Sequence, residues 1–449
     1  MELAGKKKII SGALTLGAGA MLAKVLGAIY RIPLTNLLGS YGLGLYQTVF
    51  PVYTVLLDFS GAGVPSAVSK IISSESGENI EKTAYDYLRC SLRLLFFLGV
   101  ISTAIMAVFS PLISRLQGND SATLAYVFLS PAIFFVSIIS CFRGYFQGLM
   151  NMTPTAVSQV VEQVIKLVFG LIAVKLLMPN VTLAVAGATF AITLSEIAGA
   201  LYLYIEYRRR KKIHGLRFNF DKSKFIPMAK KVIKTTVPIT LIGIMLPLSH
   251  VADSFIIVNV LKTYRADATS LFGLLSGAAN TVINLPVALC YGIATVAIPA
   301  VSSAKDKSDK KRNAVRTIAL TFAVSLPLAL SCFTFAPFII RVLFRSLSLA
   351  ERQTAVGLLR ALSPSIVFLS LLQTENAVLI GKGKLYLPII SLSIGVAIKI
   401  TLSLILLKNP LLNIYGGAIA VNACYFTVCL INLIITFTTK KVKDADKRA

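Results

Sequence analysis

The stretch YRRRKKIHGLRFNFDKSKFIPMAKKVIK, residues 207–234, is the only long polar interval between Ile9 and Phe437. Apolar runs of about 20 residues, which is the length needed to cross a membrane, precede and follow it. Several short sequence motifs of the earlier runs occur again, in the same order, in the later runs. The sequence therefore predicts two related halves joined by a basic linker.

The composition excludes a soluble domain. Of the 449 residues 56% are hydrophobic, and the mean hydropathy is +0.77. A soluble protein needs more polar residues to cover its surface. The runs suit helices that cross a hydrocarbon core of about 30 Å, whereas the strands of a membrane barrel would alternate in polarity. We predict an all-α polytopic membrane protein.

The apolar runs define about twelve transmembrane helices in two six-helix lobes. The predicted lobes are residues 1–206 and 235–438, with a basic cytoplasmic linker at 207–234 and a basic cytoplasmic tail at 439–449. The predicted spans are 10–33, 44–71, 90–113, 122–146, 155–177, 181–205, 235–261, 271–301, 314–340, 355–380, 385–407 and 412–438.

The basic residues indicate the orientation in the membrane. The net charge is +26, with 45 Lys and Arg. If the amino terminus is cytoplasmic, the inside segments hold 31 of these residues and the outside segments 9, as the positive-inside rule requires. We therefore expect both termini in the cytoplasm and contact of the basic loops with anionic membrane lipids. We expect no nucleic-acid partner.

An internal repeat supports the two-lobe prediction. Pro131 is followed after 17 residues by Gly148 and after 35 by Lys166, and Pro364 is followed at the same intervals by Gly381 and Lys399. Six spans are an even number, so both halves enter the membrane in the same direction. We predict pseudo-two-fold symmetry about an axis along the membrane normal and a substrate path between the lobes.

Ionisable residues inside the spans are the candidate functional groups. At about 3 kcal/mol each, eight such residues facing lipid would cost on the order of 20 kcal/mol, so most must face an interior. Lys24 and Arg31 lie seven residues apart on one face of the first helix. Two cations on one face suit an anionic ligand, although both side chains could instead reach the membrane surface.

The carboxylates are candidates for ion or proton coupling. Asp58 lies near the middle of the second span, where it is either an ion or proton site or a partner of Lys24. Glu196 and Asp253 are further candidates. These two and Glu375 each lie in the third of a span nearer an interface. The lone His250 is expected to pack.

Lys166 and Lys399 occupy equivalent places in the repeat. Glu162 precedes Lys166 by four residues, so we expect these two side chains to neutralise each other on one helix. The position equivalent to Glu162 in the second half is Gly395. Lys399 is therefore the more informative of the two lysines as a substrate-binding candidate.

The six cysteines are not spaced as metal ligands or as a disulfide framework. They lie in or beside apolar runs, without a CxxC pair and without a nearby His. We expect them to be small packing residues. The sequence predicts no cofactor and no metal.

The run LAKVLGAIYRIPLTNLLGSYGLGLYQTVFPVYTVLLDFSGAGVPSAVSKIIS, residues 22–73, resembles the opening of one branch of the multidrug/oligosaccharidyl-lipid/polysaccharide (MOP) superfamily. That branch contains polysaccharide exporters and the stage V sporulation protein B. Residues 274–304 resemble the eighth span of the same family. MurJ-type lipid II flippases and multidrug and toxin extrusion (MATE) transporters are related to it.

The resemblance implies two six-helix lobes and a flippase that turns a lipid-linked sugar outward by alternating access. Lys24 lies where the family carries a cationic cavity residue, and Arg31 is close to a second such position. The lipid II flippases carry an Arg in the eighth span near Thr281, where this sequence has none. They also carry two further spans after the twelfth, which do not follow here.

Two functions compete. The first is a flippase for an undecaprenyl-linked sugar, with Lys24, Arg31, Lys166 and Lys399 as substrate-binding residues. The second is a cation-coupled multidrug exporter, with Asp58, Glu196 and Asp253 as coupling residues. A glycosyltransferase is disfavoured because no large loop could hold a donor site. We expect a monomer in the bacterial plasma membrane, driven by H⁺, Na⁺ or the membrane potential.

Overall fold

The computed structural model describes residues 2–74, 80–213, 224–302, 306–384 and 386–438. These residues are almost entirely helical, and no strand occurs among them. The helices are α1 (Glu2–Leu57), α2 (Val64–Ser73), α3 (Ile80–Val108), α4 (Ser110–Leu116), α5 (Thr123–Gly148), α6 (Thr153–Leu177), α7 (Val181–Ile213), α8 (Phe225–Lys262), α9 (Ala268–Phe272), α10 (Asn280–Ser302), α11 (Lys307–Thr334), α12 (Ala336–Leu343), α13 (Leu349–Gly381), α14 (Leu387–Leu406) and α15 (Tyr415–Thr438). The all-α fold class predicted from the sequence is confirmed.

The helices agree with the twelve predicted spans. Within the described residues, ten helical stretches are long and apolar enough to cross a membrane. The first of these, Thr15–Ser73, contains two predicted spans, because α1 is interrupted at Gly39, whose φ of 66° lies in the left-handed region. The predicted span 155–177 corresponds to α6, which carries charged residues within the span.

Contacts divide the chain into two compact units. Unit 1 contains residues 1–277 and 343–351, and unit 2 contains 278–342 and 352–449. The seventh predicted span, α8, packs within unit 1: Val232 joins the apolar cluster around Tyr87, and a Cβ on Gly63 would lie 2.5 Å from the Thr240 hydroxyl. The boundary between the two units therefore differs from the boundary that the sequence repeat predicts. The units are defined by packing contacts, whereas the repeat is a property of the sequence. The lobe boundaries at 206 and 235 stay predictions.

Unit 1 holds a large apolar core built from α1, α5, α6 and α7. Tyr30, Tyr46 and Tyr126 are fully buried in it. The contact of α1 with α9 is very close, since a Cβ on Gly44 would lie 2.0 Å from the Thr269 carbonyl oxygen. Glycine at position 44 therefore allows the two helices to touch along their backbones.

A buried polar hub surrounds the turn between α4 and α5 in unit 1. The Gln117 side-chain amide donates to the Thr48 carbonyl of α1 at 3.1 Å and to the Ser254 hydroxyl of α8 at 2.8 Å. Its Oε1 accepts a bond of 2.6 Å from the Tyr126 hydroxyl. One side chain thus joins three helices.

Unit 2 has its own core. Alanine and valine side chains of α10, α11 and α13 form an apolar cluster that includes Ala297, Ala314 and Val378. Helices α14 and α15 pack closely at Gly395, where a Cβ would lie 2.3 Å from a methyl group of Val428. Polar side chains inside this unit are therefore held among tightly packed helices.

Candidate functional site

Three of the predicted site residues come together inside unit 1. Arg31 on α1 and Glu196 on α7 both act electrostatically on Lys166 of α6, and all three residues are half-buried. The Lys166 Nζ atom lies 5.7 Å from the centre of the Tyr30 ring. The structure thus brings a predicted coupling carboxylate beside two predicted substrate-binding cations.

Glu162 forms its salt bridge with Arg143, a residue that the prediction did not include, while its charge also acts on Lys166 as predicted. The Arg143 Nη2 atom donates to Glu162 Oε1 at 2.7 Å, and the same guanidinium donates to the Ser158 hydroxyl. The guanidinium fork satisfies two acceptors one helical turn apart, which a lysine on the same helix cannot do.

Arg143 was missed as a functional residue because it lies at the end of the predicted span 122–146 and was counted with the basic residues on the cytoplasmic side. The structure places it inside α5, near the carboxyl end of that helix. The buried carboxylate of Glu162 in the next span needs a cation, and this need could have pointed to Arg143. The contact depends on the packing of α5, α6 and α7, since a Cβ on Gly199 would lie 2.4 Å from Glu162 Oε1.

The pairing of Glu162 leaves Lys166 with less compensation. Arg31 lies close enough to Lys166 to repel it, and Glu196 attracts it. The Arg31 guanidinium also lies 6.0 Å from the centre of the Phe50 ring. With Arg143 and Glu162 neutralising each other, the local set contains two cations and one carboxylate. Such a set suits an anionic group such as a diphosphate.

Lys24 is a predicted site residue on α1, but its side chain lies outside the described residues. Asp58 is half-buried and begins a π-helical turn that covers Asp58–Ala62. Such turns are rare and recur at functional sites. The Tyr53 side chain experiences the charges of both Asp58 and Glu196, so these carboxylates share one neighbourhood in unit 1.

Asp253 lies on α8. Its carboxylate is 3.6 Å from the His250 Nδ1 atom, and its residue is 9% exposed. His250 was expected to pack, but 40% of its side chain is exposed beside this carboxylate. The i, i+3 spacing on one helix turns the two groups to the same face.

The remaining candidates lie in unit 2. Lys399 on α14 is 2% exposed. Glu375 on α13, which the sequence placed near an interface, is fully buried. The six cysteines are free and buried. Among the described residues, no group of three or more His, Cys, Asp or Glu side chains could hold a metal ion.

A polytopic helical bundle with charged residues in its interior is the architecture of a membrane transporter. The chain belongs to the polysaccharide biosynthesis protein family, whose family model matches residues 9–305. The MatE family model also matches residues 238–405. The superfamily predicted from the sequence is therefore confirmed, and the relatives are transporters and not enzymes.

Two relatives from Bacillus subtilis (strain 168) match nearly the whole chain. Stage V sporulation protein B is 26% identical, and the match covers 97% of this chain and 84% of the relative. The lipid II flippase MurJ is also 26% identical, over 95% of this chain and 82% of the relative. The match spans both halves of this sequence.

Solved structures show the same fold. A MATE multidrug resistance transporter in an inward-facing conformation superposes with a TM-score of 0.74 at 15% identity, covering 92% of this chain and 93% of the other. MurJ in an inward closed conformation superposes with a TM-score of 0.72 at 17% identity, covering 94% and 87%. The predicted fold class, two six-helix lobes with pseudo-two-fold symmetry, is the one these structures share.

Proposed function

We propose that the protein is a flippase that moves an undecaprenyl-linked oligosaccharide or peptidoglycan precursor from the inner to the outer leaflet. The observation that carries this proposal is the cation pair of Arg31 and Lys166 inside a unit that the polysaccharide biosynthesis family model covers. The similarity to the lipid II flippase MurJ supports the same substrate class.

The cations act on the diphosphate of the carrier lipid. A diphosphate that leaves water needs positive charge and hydrogen-bond donors. Arg31 offers a planar fork and Lys166 a point charge, and Lys24 lies two helical turns before Arg31 on the same helix. Lys399 is the equivalent of Lys166 in the second half and completes the proposed substrate-binding set.

The proposed cycle is alternating access, in which lobe 1–206 rocks against lobe 235–438. Two bundles with the same orientation can pivot without loss of their internal contacts. A cationic binding site that moves outward works against a membrane potential that is negative inside. The anionic headgroup offsets this charge, so loaded and empty transporters respond differently to voltage.

The same proposal includes the oligomeric state, location, partners and energy source of the protein. The protein is a monomer in the bacterial plasma membrane, with both termini and the 207–234 segment in the cytoplasm. Its partners are the undecaprenyl-linked sugar and the membrane lipids. It needs no cofactor, and its energy comes from H⁺, Na⁺ or the membrane potential.

A cation-coupled multidrug exporter is the second candidate. The match of the MatE model to residues 238–405 favours it, as do the half-buried carboxylates Asp58 and Glu196. In this alternative Asp58, Glu196 and Asp253 bind the coupling ion, and the cations of α1 and α6 balance them. A drug exporter needs no diphosphate site.

Reconstitution in proteoliposomes separates the two functions. A fluorescent undecaprenyl-diphosphate sugar is placed in the vesicles, and its exposure to a membrane-impermeant reductant is followed. A flippase exposes the inner-leaflet pool within the assay, whereas empty vesicles keep it protected. Uptake of a lipophilic cation driven by a pH or Na⁺ gradient, without movement of the lipid, would show the drug-exporter function instead.

A further inference from the structure

A polar seam joins α13 and α15 inside unit 2. The Cys429 thiol donates to Glu375 Oε1 at a Sγ–O distance of 3.3 Å. Three residues further along α15, the Asn432 side-chain amide donates to Asn376 Oδ1 at 3.0 Å. Glu375, Cys429 and Asn432 are each less than 5% exposed. The two helices are therefore bridged by polar contacts among packed apolar side chains.

Two oxygen atoms of this seam lack a donor. Glu375 Oε2 and Asn432 Oδ1 are both buried and have no hydrogen-bond partner among the described residues. A buried acceptor without a partner costs about 1–3 kcal/mol, and more when the group is charged. Both atoms are acceptors, so neither can satisfy the other. Each of these two oxygens therefore lacks a hydrogen.

Glu375 also lacks a counter-ion. Within the described part of the chain, no Lys, Arg or His side chain forms a salt bridge with Glu375, and Cys429 is the polar group that acts on it. An ionised carboxylate without a partner in such a place would cost several kcal/mol. A neutral carboxylic acid removes this cost and places a hydrogen on Glu375 Oε2.

The repeat places this seam where unit 1 carries its ionisable cluster. An offset of 233 residues relates Lys166 to Lys399 and Pro131 to Pro364. The same offset relates Arg143 to Asn376, Glu162 to Gly395, Glu196 to Cys429 and Gly199 to Asn432. The salt bridge of the first half is thus replaced in the second by neutral groups around a carboxyl on the helix equivalent to α5.

We propose that the seam of Glu375, Cys429 and Asn432 is a proton-binding site, in which Glu375 carries a proton that closes α13 against α15. Loss of this proton leaves an uncompensated charge between the two helices and favours their separation. The binding itself rests on these contacts and not on the proposed flippase function. That function gives the site its use, because proton release could drive a conformational step.

Sodium is a poorer occupant than the proton. A hard cation such as Na⁺ needs several oxygen ligands. In the described seam, Glu375 Oε1 and Asn376 Oδ1 already accept hydrogen bonds, which leaves Glu375 Oε2 and Asn432 Oδ1. The Cys429 sulfur is a soft ligand. The Thr436 carbonyl, one turn further along α15, already accepts from the Lys382 amine at 3.1 Å. A proton on Glu375 Oε2 removes the charge of the carboxylate and needs no set of oxygen ligands.

The described side chains near Glu375 are uncharged at neutral pH, so Glu375 is the group in the seam that gains or loses a proton. From α15 it meets Cys429. The neighbouring Thr374 bonds the uncharged Thr321 of α11 at 2.9 Å, and five residues before Glu375, Ser370 contacts Cys290 of α10. Lys382 lies seven residues, about two turns, further along α13. The Cys429 thiol is therefore the described polar group that bonds the carboxyl, and the nearest described cation of its own helix is two turns away.

Infrared spectroscopy of the purified full-length protein in lipid tests the proposal. The measurement is the carbonyl stretching band of protonated carboxyl groups at pH 7, where an ordinary Glu, with a pKa of about 4.3, is ionised. We expect Glu375→Gln to remove one component of this band. Cys429→Ala should shift the same component, because its frequency depends on the thiol hydrogen bond.

Glu351→Gln is the matched control, since Glu351 also lies on α13 and accepts two bonds of 2.8 Å from Ser348. This variant should leave the band unchanged. An unchanged band in Glu375→Gln would overturn the proposal, as would loss of the component in wild-type protein when Na⁺ replaces K⁺ at constant pH. Because no lipid-linked sugar is needed, failure of the flippase assay would leave this result intact.

Discussion

Arg143 and Glu162 form an ion pair of 2.7 Å between α5 and α6, and Ser158 accepts two further bonds from the same guanidinium. The side chains are 17% and 9% exposed. This contact fixes the helix that carries Lys166, one turn away from Glu162, relative to α5. It also neutralises a carboxylate that would otherwise compete for Lys166.

Loss of Arg143 should destabilise unit 1. Arg143→Ala leaves the Glu162 carboxylate buried without its cation, and breaking such a pair costs roughly 3 kcal/mol. The free energy of unfolding in detergent measures the effect. Adding Glu162→Gln to Arg143→Ala should restore part of the lost stability, because the uncompensated charge is gone. Arg209→Ala, which breaks an exposed pair with Glu206, should cost less than about 1 kcal/mol.

Lys166 should be needed for transport of a diphosphate lipid. Lys166→Ala removes a charge-assisted interaction of about 1.5–3 kcal/mol, so flipping in proteoliposomes should fall roughly ten- to hundredfold at low substrate. Lys175→Ala is the matched control, because Lys175 lies on the same helix and is exposed. Equal activity in both variants would remove Lys166 from the binding set.

Arg31 should act with Lys166 on the same anionic group. Arg31→Lys keeps the charge and loses the planar fork, so it should retain more flipping activity than Arg31→Ala. The two alanine substitutions should combine with less than additive effect, as residues that share one ligand do. Strict additivity of Arg31→Ala and Lys166→Ala would place the two cations at separate ligands.

Gln117 should control opening of the polar hub. Gln117→Leu removes the bonds to Thr48, Ser254 and Tyr126 and leaves their partners unsatisfied, each at about 1–3 kcal/mol. A cysteine introduced as Ser254→Cys should then react faster with a water-soluble maleimide. Thr54→Ala, which loses only a bond to Phe50 within its own helix, should leave the labelling rate unchanged.

The predicted orientation can be tested with single cysteines, since the native ones are buried. Arg209→Cys should react with an impermeant maleimide only after the membrane is permeabilised, because the charge count places it in the cytoplasm. Leu411→Cys, at a residue that is 93% exposed, should react in intact cells. Labelling of the first and protection of the second would reverse the topology.

The sequence by itself determined the helical class, the span positions and the repeat. Runs of about 20 apolar residues have one stable solution in lipid, because each backbone polar group must bond within its own helix. This constraint is local, so it can be read without knowledge of the neighbours. It also predicted α6, despite the charged residues in it, as a span of 155–177 where the helix runs from Thr153 to Leu177.

Only the tertiary structure decided the partners of the charged residues. Spacing made Lys166 the partner expected for Glu162, but a helix has several neighbours and the strongest contact came from α5. The same limit applies to Glu375, whose distance from the span centre said nothing about its burial or about Cys429 opposite it. The free-energy cost of an ionised group in apolar surroundings depends on which side chains lie within about 3 Å of it. These side chains come from helices that are far apart in the sequence, so the sequence alone does not identify them.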